Sequence, residues 1–212
     1  MDQETLFTGS KWDILKLLES KGMSPLELAN KSGTSIANIS QQLRFLEMAG
    51  IVTSRRVSNR EKGQPRIIYS LAGNNSYIIA VTPGFVHKDM YELDERKKAF
   101  LRIWFYKRKE YQYFIEKALT TLQGNLNKIQ VIALDESQLS GIRLSIVSDQ
   151  LKKSDLKNLE LTNKEGQKAI VELELKDISE LEEGNYYSIY DPDGKLQRQH
   201  KLQRQQEVEN DD

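Results

Sequence analysis

The stretch from Ser24 to Gly50 constrains the fold more than any other part of the chain. Ser24-Pro25-Leu26-Glu27 has the spacing of a capping box, with proline at a favoured first-turn position. This spacing predicts a short helix to about Lys31 that stops at Gly33. Thr34 then caps a further helix, in which Ile36, Ile39, Leu43 and Leu46 follow the i, i+3, i+7, i+10 spacing of one buried stripe, and which ends at Gly50. Upstream, Ser10-x-x-Asp13 repeats the box spacing and starts a helix to about Ser20, with Ile14, Leu17 and Leu18 on one face and Gly22 beyond its end. Three short helices with a tight glycine turn between the last two are the pattern of a helix–turn–helix.

The face of the third helix opposite its apolar stripe carries an unusual selection of residues. Thr34, Ala37, Asn38, Gln41 and Phe45 fall there, flanked by Ser40, Gln42 and Arg44. A solvated helix face more often carries Glu and Lys, whereas here the first carboxylate is Glu47, near the C-terminal end. Asn and Gln make bidentate contacts to adenine and Arg to guanine, so Asn38, Gln41, Gln42 and Arg44 are the candidate base readers. Beyond Gly50, residues 51–57 and 65–71 read as two strands of a hairpin. Residues 50–72 carry Arg55, Arg56, Arg60, Lys62 and Arg66 against the single acid Glu61. A basic hairpin after a helix–turn–helix has the layout of a wing on the phosphate backbone, which makes those five cations candidate backbone contacts. Thr34, Ser35 and Ser40 join that set as hydroxyls near the groove, and Ser24 as the start of a helix whose amide end suits a phosphate.

In order, these landmarks are Ser24-Pro25-Leu26-Glu27-Leu28-Ala29, Gly33-Thr34-Ser35, Ile39-Ser40-x-x-Leu43-x-x-Leu46-x-x-Ala49-Gly50-Ile51-Val52 and Gly63-Gln64-Pro65-Arg66-x-x-Tyr69-x-Leu71. Residues 6–72 thereby resemble the winged helix–turn–helix of ArsR-like transcription regulators, archaeal ones in particular. The resemblance implies a dimer that reads a two-fold related duplex site with its third helix in the major groove. Metal-sensing members carry a cysteine pair on the recognition helix; this chain has no cysteine, so metal sensing of that kind is excluded.

The absence of cysteine also rules out a disulfide scaffold, a thiol nucleophile and a cysteine-built metal site, and fits a reducing, cytoplasmic compartment. No apolar run approaches the length needed to span a bilayer. The net charge of zero conceals an asymmetry: residues 1–72 and 73–117 each carry +3, and residues 118–212 carry −6. Basic charge in the front half points to a polyanionic partner there.

In the middle of the chain, residues 77–81 read as a short strand before the turn Thr82-Pro83-Gly84, and a long helical segment is expected from Asp94 to about Gly124. Leu93, Leu101, Trp104, Phe105, Ile115, Leu119 and Leu122 give it an apolar side. Seven cations and no acid lie between Arg96 and Lys109, interleaved with Phe100, Trp104, Phe105 and Tyr106. Two readings are open: a dimerisation helix dressed in basic side chains, or an added nucleic-acid surface on which rings stack on bases.

Residues 129–134, 142–147, 169–175 and 186–190 read as strands, and Asp149 to Leu159 as a short helix, which makes residues 125–192 a small α+β domain. The first two strands are too closely linked for a parallel crossover and must form an antiparallel hairpin, which places Asp135 and Asp149 about 20 Å apart. Asp135, Glu136 and Asp149 therefore cannot share a site. No Gly-x-Ser-x-Gly, Walker loop or dinucleotide fingerprint is present, and His87 and His200 are the only histidines. A six-residue repeat, residues 195–200 and 201–206, opens a tail, residues 193–212, expected to be disordered or a frayed helix.

The sequence thus predicts an α+β protein of three parts: a winged helix–turn–helix over 6–72, a connecting and dimerising region with a long helix over 73–124, and the small domain over 125–192. The expected function is that of a sequence-specific, double-stranded-DNA-binding transcription regulator acting as a homodimer, with no enzyme activity, no cofactor and no membrane. An unknown small-molecule or protein effector could act at the C-terminal domain. A protein-interaction adaptor and an RNA-binding protein are the competing readings.

Overall fold

The protein was analysed as a computed structural model that describes residues 3–58, 65–137 and 141–196. It divides into two compact units, Met1–Leu93 and Asp94–Asp212, rather than at residues 72 and 124.

The first unit opens with a 3-10 turn and α1 (Gly9–Leu18), followed by α2 (Pro25–Ser32) and α3 (Ile36–Met48). Ser10 does not cap α1. The cap position belongs to Thr8, whose hydroxyl donates back to the Thr5 carbonyl at 3.2 Å, and Ser10 sits inside the first turn. The box at α2 forms as the spacing predicts: Ser24 Oγ accepts from the Glu27 amide at 3.3 Å and Glu27 Oε2 accepts from the Ser24 amide at 2.7 Å. Gly33 ends α2 at φ 66°, a left-handed conformation that costs glycine nothing. α3 is capped by Ser35, one residue later than Thr34.

Ile14, Leu18, Leu28, Ile39, Leu43 and Leu46 meet in one core, each fully buried side chain contributing about 1.5–3 kcal/mol. Ile36 does not join them. It lies in the first turn of α3, past the edge of that core, and is 48% exposed.

Two antiparallel hairpins complete the unit. The wing pairs β1 (Val52–Val57) with β2 (Arg66–Leu71), and Met23 and Tyr69 exchange two backbone hydrogen bonds of 2.9 Å that tie β2 to the entry of α2. Gly22 is required there: a Cβ would lie 2.8 Å from Ile68 Cγ2 and 3.0 Å from the Tyr69 carbonyl oxygen. A second hairpin pairs β3 (Asn75–Thr82) with β4 (Phe85–Glu92) through eight registered pairs. Only part of β3 was expected from the sequence, and β4 not at all.

In the second unit, α4 (Glu95–Phe105) and α5 (Lys109–Leu122) occupy the segment expected as one helical run. Tyr106 leaves the helix with ψ 137° and packs its ring 4.9 Å from that of Tyr187. The Trp104 carbonyl freed by the break accepts from Lys109 Nζ and Gln112 Nε2 at 2.8 and 2.7 Å. Ala99, Ile103, Phe114, Ile115, Ala118 and Leu119 face the sheet, so of the expected apolar side Ile115, Leu119 and Leu122 are buried within the protomer, Leu93 and Leu101 are half-buried, and Trp104 and Phe105 point outward.

That sheet has the order β7-β8-β6-β5-β9, with β5 (Val131–Asp135), β6 (Ile142–Val147), β7 (Leu159–Thr162), β8 (Lys168–Leu175) and β9 (Tyr186–Tyr190). β5 and β6 form the antiparallel hairpin required by their short link, whereas β6 and β8 run parallel. The helix expected from Asp149 reduces to a 3-10 turn at Lys153–Asp155. Ser148 Oγ accepts from the amides of Gln150 and Leu151, and Asp155 from that of Lys152, so side chains satisfy backbone donors a helix would have used.

The reverse face of the sheet, Val131, Ala133 and Val147, is covered by Leu181 of α6 (Ile178–Glu182) and by Leu196. Asp191 accepts from the amides of Lys195 and Leu196, so residues 193–196 belong to the fold rather than to a loose tail. The rest of the repeat and His200 lie outside the described residues.

Candidate nucleic-acid interface

The open face of α3 resolves into two rows. Thr34, Asn38 and Gln42 stand four residues apart and are joined side chain to side chain: Asn38 Nδ2 donates to Thr34 Oγ1 at 3.1 Å, and Gln42 Nε2 to Asn38 Oδ1 at 3.2 Å. Lys11 Nζ of α1 closes the chain on Gln42 Oε1 at 3.3 Å. The amides in this row are held in one orientation, and Gln42 is engaged at both ends. Ala37, Gln41 and Arg44 form the second row and are exposed, with Ile36 beside it in the first turn. Ser40 is half-buried on the flank, and Ser35 spends its oxygen as the helix cap.

The face has one carboxylate, Glu47, and it is occupied: Ser54 Oγ on β1 donates to Glu47 Oε1 at 2.6 Å. Burial pushes the Tyr69 hydroxyl pKa up, and the nearby Glu47 carboxylate adds to that rise.

Strand alternation splits the wing cations. Ser54 and Arg56 share one side of β1, the side turned to α3 by the Glu47 contact. Arg55 and Arg66 lie on the reverse side, through the pairings Arg55↔Ile68 and Val57↔Arg66. Arg66 and Lys21 help to hold the Glu27 carboxyl below its ordinary range, after the larger effects of the Ser24 hydroxyl and amide. Among the described wing cations, Arg56 is therefore the one on the side of α3, and Arg55 and Arg66 are on the reverse side. Arg60 and Lys62 lie outside the described residues.

Ser24 leaves the candidate set. It is buried, its hydroxyl donates to Glu27 Oε2 at 2.6 Å and its amide is bonded to the same carboxylate, so a phosphate there would meet a satisfied cap and a negative charge.

Each cation of the basic aromatic stretch of the second unit has a partner within that unit. Lys97 and Lys98 pair with Asp94 and Glu95, Lys107 with Glu136, and Arg102 donates to Ser188 Oγ and the Ile189 carbonyl. Arg108 donates to the Tyr111 hydroxyl, Lys109 caps the Trp104 carbonyl, and Arg96 lies over the Phe100 ring at 5.9 Å.

Asp135, Glu136 and Asp149 are served separately: Asp135 by Ser137 and Arg143, Glu136 by Lys107, and Asp149 by Gln130. Among the described residues no group of three or more His, Cys, Asp or Glu side chains could hold a metal ion, and no helix is long and apolar enough to cross a membrane.

The local fold and the composition of α3 agree with one comparison. Residues 9–54 match the family model of bacterial regulatory proteins of the arsR family. The match runs from α1 through α3 into β1, and so contains the whole candidate reading face. The match likens this part of the chain to the helix–turn–helix of ArsR-type DNA-binding transcription regulators. No curated protein matches the chain.

Proposed function

We propose that the protein is a sequence-specific, double-stranded-DNA-binding transcription regulator that acts as a homodimer, with α3 in the major groove and the wing on the phosphates. The observation that carries the reading is the exposed face of α3, where amides, hydroxyls and one arginine stand with no carboxylate before Glu47. Such a face offers hydrogen bonds to base edges without repelling phosphate. Gln41 and Arg44 make the outermost base contacts, and Asn38 and Gln42, oriented by Thr34 and Lys11, make the flanking ones. Ile36 and Ala37 present methyl groups in the first turn, suited to the methyl of thymine. Thr34, Ser35, Ser40, Arg55, Arg56, Arg60, Lys62 and Arg66 bind backbone.

Selection of duplex from a random pool by the full-length protein tests this. The expected product is an inverted repeat, bound with a log affinity that falls by about 0.9 per phosphate contact per decade of salt. Gln41→Ala should reduce discrimination between selected and random DNA by roughly 5- to 150-fold, whereas Arg60→Ala weakens both about equally. A pool that enriches nothing, or equal losses in both variants, overturns the assignment.

A further inference from the structure

The β3–β4 ribbon is the part of the first unit whose own packing leaves it least accounted for. Two strands alone are marginal in water, yet this hairpin keeps eight registered pairs. The root of one of its faces is committed to its own unit: Tyr77 stacks on Phe7 at 5.3 Å, Lys88 pairs with Glu4 at 3.2 Å and Met90 packs against the core. By alternation the other face, turned away, carries Ser76, Ile78, Ala80 and Thr82 on β3, and Phe85, His87, Asp89 and Tyr91 on β4. Ile78, Phe85 and Tyr91 are exposed there; Ile79, Val81 and Val86 are exposed on the first face beyond its root, but an axis at the same level would set the Lys88 of that face against its own copy.

The order of residues on that outward face is self-complementary. A two-fold axis across the ribbon at the level of the Ile79↔Lys88 pair sets β4 against β4 and β3 against β3 of a second copy, running oppositely. Phe85 then meets Tyr91, His87 meets Asp89, Ile78 meets Ala80 and Ser76 meets Thr82: ring on ring, base on acid, apolar on apolar, hydroxyl on hydroxyl. The axis level itself falls on residues that point to the opposite face, so no side chain is set against its own copy. Eight residues span about 27 Å, and two such ribbons packed face to face remove on the order of 1,000 Å² from water, the threshold of a specific interface. A C2 interface requires this kind of match between a patch and itself.

We infer that this outward face of the β3–β4 ribbon is the surface through which two copies of the chain associate. The inference rests on the homodimer reading above and assigns its interface to residues 76–91 of the first unit, in place of the helical segment, where Ile115, Leu119 and Leu122 are spent on the protomer's own core.

Sedimentation of the full-length protein, with duplex binding measured on the same samples, tests it. The wild type should be dimeric at micromolar concentration. Phe85→Glu should weaken self-association at least tenfold, and Val86→Glu, on the other face, should not. His87→Glu should weaken it severalfold, with recovery in the double variant His87→Glu/Asp89→Lys, a rescue that loss of folding cannot imitate. A monomeric wild type overturns the inference, as does a dimer indifferent to Phe85→Glu, one broken by Val86→Glu, or the absence of rescue. If the wild type binds selected duplex while remaining monomeric, or while dimerising elsewhere, the DNA-binding reading stands and only the ribbon assignment falls.

Discussion

Ser54 Oγ donates to Glu47 Oε1 at 2.6 Å, so the first strand of the wing is bonded to the last turn of the recognition helix. The contact fixes which side of the wing faces α3, and it occupies the one carboxylate on the face proposed to approach DNA. Ser54→Ala removes a hydrogen bond to a charged acceptor at an exposed position. We predict a roughly fivefold loss of affinity for the selected duplex with a change in stability below about 1 kcal/mol, read by fluorescence anisotropy and urea unfolding. Unchanged affinity would show that the wing angle does not depend on this bond.

Ile36 and Ile39 stand three residues apart on α3 and should respond oppositely to truncation. Ile39 is fully buried, so Ile39→Ala should cost about 2–5 kcal/mol. Ile36→Ala should cost under about 0.5 kcal/mol, yet erase a thymine preference from the selected consensus. Denaturant unfolding and repeated selection on each variant measure the two effects separately.

The Glu27 carboxyl titrates below its ordinary value of 4.5, chiefly because the Ser24 hydroxyl and amide bind its charged form. Its contribution is therefore present above pH 4.5 and disappears as the pH falls through the lower folded-state value. Hydrogen exchange of the α2 amides should show protection lost across that acid window in the wild type and a flatter profile in Glu27→Gln. At neutral pH, Ser24→Ala should cost about 1 kcal/mol.

Tyr106 behaves in the opposite sense. Burial first, and the Glu136 carboxylate beside it second, push its hydroxyl up to about 12. The folded protein holds a proton that the unfolded chain gives up near pH 10, so the effect of this group on stability is flat below pH 10 and stability falls as the pH rises toward 12. Tyr187 and Tyr190 shift in the same direction, through burial. Tyr106→Phe should therefore reduce the alkaline slope of thermal unfolding without removing it.

Much of the first unit could be read from residues because its signals are local. Ser24, Glu27 and Gly33 mark α2 by chemistry that acts within one turn, and the amide-rich face of α3 is visible from spacing alone. Burial depends on neighbours distant in sequence, which is why Ile36, in phase with the apolar stripe, still lies outside the core. The link from Lys11 to Gln42 spans 31 residues and leaves no trace in either helix. β4 carries no clear strand signal because Lys88 and Asp89 interrupt its apolar residues, and β7 none because four residues are too few to establish a period. The seven cations between Arg96 and Lys109 admit either a dimerisation helix or a surface for nucleic acid when read from sequence, and their partners, such as Glu136 for Lys107 and Ser188 for Arg102, lie too far along the chain for spacing to reveal.

The sheet of the second unit also has a temporal consequence. β5 pairs with β6 on one edge and with β9, more than fifty residues later, on the other, while Leu196 closes the reverse face. A nascent chain emerging from the ribosome would thus hold a complete DNA-reading unit once residue 93 is out. Strand β5 of the second unit, by contrast, stays open on one edge until residues 186–196 are released. Translation pauses or truncations late in the message should therefore yield a folded reading head attached to an unfinished, aggregation-prone partner.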